Sequence, residues 1–288
     1  IYGDRTSTST LYTSEDIDFL AGIARQVTIG LVNARLMEEQ KAKLVMEAEL
    51  DVARDIQRRL FPRELPVDDR IIVAALNEPG RTVSGDYYDV IEFDDGRVAF
   101  LIADVSGKGV AAALLMSNLQ AAVRLTLADS GDPADAMRRW NTLLYTNTDS
   151  SKFVTCVACV IDTSARTLTF TLAGHQAPFV LRGSDETPVE LSMEPELPLG
   201  VVEHVDFKSK TVGLGDGPCT IFCYSDGVVE AMNSAHELFG DERMRLALAE
   251  SADAPPNLFL RKMRKALSSF TRDAEQSDDI TMLAAKVL

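Results

Sequence analysis

The sequence is short of several things, and each shortage removes a class of function. Four cysteines in 288 residues are too few for a disulfide framework and point to a reducing, cytoplasmic setting. Three histidines, at positions 175, 204 and 236, are spaced too widely for a zinc site. Basic residues are outnumbered 44 to 29, leaving a net charge of −15. Such a surface repels nucleic acid and anionic membranes, so neither is expected as a partner. No apolar run approaches the ~18 residues of a membrane helix, and no repeat or low-complexity tract is present. The chain opens on Ile1 in mid-element, without a leader, and reads as a piece of a longer protein.

Three motifs that suggest familiar chemistry fail on inspection. Cys156 and Cys159 form a C-x-x-C, but inside FVTCVACVID, a strand pattern, where residues three apart face opposite sides. They read as core, as do Cys219 and Cys223. The segment DVSGKG, 104–109, lacks the spacing of a P-loop, and the glycines at 213, 215 and 217 precede a strand rather than a helix. His175 reads as structural, His204 and His236 as surface residues, and Trp140 as core.

What is present divides in two. After a cap-like Thr13-Ser14-Glu15-Asp16, the apolar residues Ile17, Leu20, Ala24, Val27, Leu31 and Ala34 step by three and four. A second stripe follows at Val45, Ala48, Val52, Ile56 and Leu60, and Pro62 ends the pattern. One long helix cannot bury so narrow a stripe alone. It either packs on its own catalytic domain or forms a parallel coiled coil, and the homodimer through residues 17–60 is the reading preferred. From Ile71 onward short strands dominate: IIVAALNE, YYDVIEF, RVAFLIAD, FVTCVACVID, TLTFTLA, PFVLR, VDFKSKTV, CTIFCYSD and ITMLAAKV. Helices come in pairs, after Gly109, after Asp132-Pro133, at FGDERMRLALAE and after Pro255-Pro256. Strands in runs with paired helices give an α+β class.

The acids worth following stand where strands meet tight turns: Asp86, Asp104, Asp226, and the pair Asp278 and Asp279. An aspartate at such a boundary is ordinarily a turn-former. Several from distant parts of the chain suggest one cluster, which repels itself unless cations neutralise it. Oxygen ligands without His or Cys favour Mg²⁺ or Mn²⁺. Two such ions sharing a carboxylate activate water and hold a phosphoryl group, which would let an acidic protein accept an anionic substrate.

The motifs SGDYYD (84–89), ADVSGKGVAAAL (103–114), LAGHQAPFVLR (172–182), LPLG (197–200), YSDGVVEAMN (224–233), ELFGDERM (237–244) and SDDIT (277–281) together resemble the PPM/PP2C-type serine/threonine phosphatases, in the bacterial branch of SpoIIE and RsbU. The resemblance implies two antiparallel β-sheets sandwiched between helices, αββα, over residues 65–288. It implies a binuclear Mn²⁺ or Mg²⁺ centre on Asp86, Asp104, Asp226 and Asp278. Asp104 would bridge, the Val105 carbonyl would add a ligand, and Asp279 would rank behind Asp278. It also implies hydrolysis of phosphoserine or phosphothreonine on a protein of the anti-anti-sigma type. Two departures stand out. Ser106 occupies the place where many eukaryotic members carry a histidine acid, and their phosphate-binding arginine has no counterpart. Lys108 is a candidate for phosphate contact, with a solvated turn lysine as the alternative. A catalytically weak module that binds a phosphoprotein is the other function considered; it should have lost one of the four acids, and none is missing. Upstream, residues 12–36 are similar to the closing helix of a GAF sensory domain, giving boundaries of 1–36 for that end, 37–64 for a helical coiled-coil linker and 65–288 for the phosphatase domain.

Overall fold

The computed structural model describes residues 13–148, 152–183, 187–194 and 196–288. The elements run α1 (Ser14–Arg58), β1 (Ile71–Glu78), β2 (Tyr87–Glu92), β3 (Val98–Val105), α2 (Val110–Ser130), α3 (Pro133–Asn147), β4 (Val154–Asp162), β5 (Thr167–Ala173), β6 (Phe179–Leu181), β7 (Val189–Glu190), β8 (Lys210–Gly213), β9 (Cys219–Tyr224), α4 (Gly240–Ala249), α5 (Pro256–Thr271) and β10 (Ile280–Val287). By its contacts the chain divides into two units, Ile1–Ala53 and Arg54–Leu288.

The first unit is the bulk of α1. Residues 1–12 of the segment read as the end of a sensory domain lie outside the described residues. Thr13 caps the helix: its hydroxyl accepts from the Asp16 N–H, and its own N–H donates to the Asp16 carboxylate at 3.0 Å. Along this unit the apolar stripe is open, with Ile17, Val27, Leu31, Val45 and Val52 all exposed.

The second unit is a four-layer sandwich of the αββα kind. One antiparallel sheet has the order β1-β10-β9-β6-β7 and the other β2-β3-β4-β5-β8. Between the sheets lies a core built of Ile71, Phe100, Ile102, Val157, Phe170, Ile221 and Leu283. Leu101, Met116, Leu119, Trp140 and Ala158 fill the space between the second sheet and α2 with α3. On the far side Phe222, Met282, Phe259 and Met263 pack the first sheet against α4 and α5. A strand buried on both faces needs no polar alternation. That is why β3 reads VAFLIADV, with Val98, Phe100 and Ile102 turned to one layer and Ala99, Leu101 and Ala103 to the other.

The same rule disposes of the cysteines. Cys156 faces the helix layer and Cys159 the inter-sheet core, and all four thiols are free and buried. Burial pushes the Cys156 and Cys159 thiols up, which keeps them protonated. Trp140 is fully buried, and its indole N–H donates to the Thr126 hydroxyl at 2.8 Å. Asp132 caps α3 by accepting from the Ala134 N–H, with Pro133 at the first helical position.

Two expectations are corrected. Of VDFKSKTV only Lys210, Thr211 and Val212 are strand, in a β8 that runs on to Gly213; Phe207 enters the core from an irregular segment instead. The segment Val110–Leu127 has the length and mean hydropathy, 1.4, of a membrane span, against the expectation that no run approaches one. In this fold Met116, Leu119, Val123 and Leu127 of that helix are fully buried. On another face Arg124 pairs with the buried Asp89, which also accepts from the Tyr87 hydroxyl.

His175 ties the two sheets together. Its Nε2 donates to the Tyr224 carbonyl of β9 at 3.1 Å, and its Nδ1 accepts from the Thr155 hydroxyl of β4 at 2.8 Å. Burial lowers the imidazole pKa from 6.5 to about 4, so the bridge is neutral. Below pH 6.5 the unfolded chain takes a proton that the folded imidazole refuses until about pH 4. The His175 contribution to stability should therefore be lost as pH falls through that window, opposite in sign to the gain from the raised carboxyls of Asp86, Asp104 and Asp226. His175→Gln should remove that contribution while lowering stability at pH 7 by about 1–3 kcal/mol. Denaturant titrations from pH 4 to 7.5 check this; an unchanged slope in the variant contradicts it.

Candidate metal centre

Strand register assembles the acids. The pairing of Tyr87 with Ala103 sets Asp86 beside Asp104 at one end of the second sheet. In the first sheet Met282 pairs with Tyr224, so the turns after β9 and before β10, which carry Asp226 and Asp278, share one end. The sequence-predicted acids therefore converge from four separated stretches of chain.

Their electrostatics show the convergence. Burial is the first cause that raises the Asp86 carboxyl, and the Asp104 charge is the next. Asp104 is pushed up to about 7, by burial, then by Asp226 and Asp278, with a hydrogen bond from Asp86 opposing. Asp226 is raised by burial, then by Glu230 and Asp278. The first cause is the desolvation of a buried charge, and the next is the cost of ionising one carboxylate where others already stand. Glu230, an added negative charge beside Asp226, carried no motif and was missed.

Close backbone approach makes this geometry possible. A Cβ on Gly227 would lie 1.9 Å from the Asp279 carbonyl oxygen, and one on Gly80 2.8 Å from the Asp278 backbone. A Cβ on Gly85 would meet the Val105 carbonyl oxygen at 3.2 Å, so a glycine there leaves that oxygen clear. Gly107 and Gly109 have φ of +94° and +82°, the left-handed region that a side chain disfavours.

Beneath the acids runs a polar floor. Thr281 donates to Asp86 Oδ2 at 2.5 Å and accepts from Asn77 Nδ2 at 2.8 Å. The Ser225 hydroxyl accepts from the Thr281 N–H at 3.0 Å. Asp279 is engaged with this scaffold. Its Oδ2 accepts from the Ser84 hydroxyl at 2.8 Å and the Gly85 N–H at 2.6 Å, and its Oδ1 from the Gly80 N–H at 2.7 Å. The carboxylate thus shapes the loop that presents Asp86, while Asp278 is left to face the cluster.

Two cations and one amide complete the picture. Lys108 Nζ lies 2.9 Å from Asp278 Oδ2 and donates to the Ser277 carbonyl, on a side chain that stays exposed to solvent. Ser106 latches its loop to β4: its hydroxyl accepts from the Phe153 N–H at 2.9 Å, and its N–H donates to the Phe153 carbonyl. Lys152 Nζ sits 3.3 Å from the Ser106 carbonyl, a basic group at the rim that no motif marks. The buried Gln57, in the last turn of α1, grips the Ser84 backbone at both ends. Its Nε2 donates to the Ser84 carbonyl at 2.7 Å, and its Oε1 accepts from the Ser84 N–H at 2.9 Å. Gln57 was overlooked because a glutamine in a charged helix gives no sign of burial.

Among the described residues, no three Asp, Glu, His or Cys side chains stand at a spacing that already cages an ion. The donor set nonetheless fits a hard divalent cation: oxygen ligands only, desolvated, with carboxyls raised by burial and then by one another.

Known proteins resemble this chain in sequence and in fold. The family model described as Stage II sporulation protein E (SpoIIE) matches residues 94–288. Phosphoserine phosphatase RsbU of Bacillus subtilis is 30% identical over 186 residues, which cover 64% of this chain and 54% of that one. The SiaA-PP2C domain of Pseudomonas aeruginosa superposes with a TM-score of 0.75 at 24% identity, over 84% of this chain and 97% of that one. RsbX, crystallised in complex with magnesium, gives 0.58 at 15% identity, over 78% and 99%. At these identities the structures establish a shared fold. The chain spans about half the length of the curated relatives it matches.

Proposed function

The chain belongs to the SpoIIE family, and on that premise we propose that it is a Mn²⁺- or Mg²⁺-dependent phosphatase acting on phosphoserine or phosphothreonine in a protein. The observation that carries the reading is the meeting of Asp86, Asp104, Asp226 and Asp278 in one desolvated cluster, where ionisation is suppressed by neighbouring acids. These four carboxylates and the Val105 carbonyl would hold two cations, with Asp104 shared. Asp279 serves by fixing the Ser84–Asp86 turn. Bound divalent cations supply Lewis acidity toward a phosphoryl oxygen and lower the pKa of water.

The chain's own groups do the remaining work. Gly85 keeps the Val105 carbonyl oxygen clear, and Gly107 admits the Lys152 ammonium beside its loop. Lys108 balances Asp278 and stands within reach of an incoming phosphate oxygen. Ser106 holds its loop rather than donating a proton to the leaving group.

RsbU is a phosphoserine phosphatase by name, which supports a phosphorylated signalling protein of the anti-anti-sigma type as substrate. Residues 1–36 are the end of a GAF-like sensory domain, 37–64 a linker, and 65–288 the catalytic domain, all cytoplasmic. The Gln57–Ser84 pair supports control by the linker, because movement of that helical turn is felt two residues from Asp86. The exposed stripe of α1 supports a parallel homodimer.

Asp104→Asn and Asp226→Asn should each lower Mn²⁺-dependent hydrolysis of p-nitrophenyl phosphate by at least about a thousandfold, as loss of electrostatic stabilisation at a reacting centre does. Activity retained in either variant overturns the reading. Light scattering at micromolar concentration should give twice the chain mass of 31.5 kDa; a monomer contradicts the coiled coil.

A further inference from the structure

Next to the acids lies a cavity that the phosphoryl chemistry leaves unused. It has a volume of about 140 Å³ and shares Gly227 and Asp278 as walls with the carboxylate cluster. Its floor is apolar, made by Ala231, Leu267 and Ile280, with Met232 at the edge. The walls are fixed by polar ties: Gln276 Nε2 donates to the carbonyls of Glu78 and Asp278, at 2.9 and 2.7 Å, and Arg264 pairs with Glu78 at 2.5 Å. Arg264 also lines a shallower groove beyond, against Ala75, Leu76 and Leu260.

The two hollows follow one face of α5. Leu260, Arg264, Leu267 and Thr271 recur at helical spacing and line one or both. From Leu260 to Thr271 that face is roughly 16 Å long at 1.5 Å per residue, the reach of about five extended residues. The closed end matches a single aliphatic side chain in size: cavities near 150 Å³ accept a benzene-sized group. An apolar floor under a polar rim is the usual make-up of a recognition pocket.

We propose that this cleft recognises the substrate polypeptide. A Leu- or Met-sized side chain flanking the phosphorylated residue seats between Met232, Leu267 and Ile280, and the chain runs on along α5 past Arg264. The proposal rests on the phosphatase reading and adds the chemical preference of its substrate. Glu275, which lines the cleft, opposes an acidic residue in the same place.

The test uses fluorescein-labelled peptides carrying a phosphonate analogue of phosphoserine, which resists hydrolysis, in the presence of Mn²⁺. Leucine is scanned through the four positions on each side in an alanine background, and binding is read by anisotropy. Leucine at one of these positions should tighten binding about tenfold over the all-alanine peptide, the gain expected from burying one such side chain. Ser268→Trp places a large ring in the cleft from the exposed face of α5 and should remove that advantage, as should Met232→Glu. A leucine that is neutral everywhere, or an advantage that survives both variants, overturns the proposal. Hydrolysis of p-nitrophenyl phosphate by the unmodified chain is measured alongside, so that failure of the phosphatase reading shows as a separate result.

Discussion

Repulsion among desolvated carboxylates is the constraint on which the rest of this structure depends. Two such charges about 5 Å apart cost each other roughly 3 kcal/mol even at an effective dielectric constant near 20. The fold holds several together, and the consequences appear around them. Asp104 titrates near neutrality, Lys108 leans across to Asp278, and a floor of Thr281, Asn77 and Ser225 steadies the Asp86 end of the group. A cluster so strained in its ionised form gains most when divalent charge enters it. Folding free energy from three apolar layers keeps the acids in place until then.

Much of this was legible in the sequence because both determinants are local. A strand buried on two sides must be apolar throughout, so VAFLIAD in β3 announces its layer, and the acid that ends it stands out. Turn glycines beside Asp86, Asp104 and Asp226 mark places where backbone comes close. The covering helices declared themselves through Asp132-Pro133 and Pro255-Pro256. The antiparallel register that sets Asp86 beside Asp104 is not written in any one segment, yet family motifs in the expected order foretold the cluster.

What stayed hidden depends on partners far away in the chain. Asp278 and Asp279 are adjacent and chemically identical, and only the Gly80, Ser84 and Gly85 donors separate their roles. Gln57 is a polar residue in a polar helix until Ser84 meets it. Lys108 seemed a solvated lysine or a phosphate contact, and its position across from Asp278 depends on β10. Half of VDFKSKTV carried strand-forming residues but no neighbour to pair with, so tertiary placement overrode propensity. The apolar length of α2 combines one buried stripe, Leu115, Met116, Leu119, Val123 and Leu127, with exposed apolar residues such as Leu114 and Leu125, a pattern that composition alone cannot tell from a membrane span. The pairing of Gln57 with the Ser84 backbone gives that last turn of α1 a thermodynamic meaning. If cation binding orders the Ser84–Asp86 turn, then by linkage whatever orders the turn also favours the cation.

The central claim is that the clustered acids form a site for divalent cations. Isothermal titration of Mn²⁺ into the metal-free chain at pH 7, repeated in buffers of different ionisation enthalpy, tests it most directly. The account predicts two ions bound per chain, with protons released as Asp104, raised to about 7 by burial and its neighbours, gives up its hydrogen. Absence of binding at millimolar Mn²⁺, or binding without proton release, would contradict it.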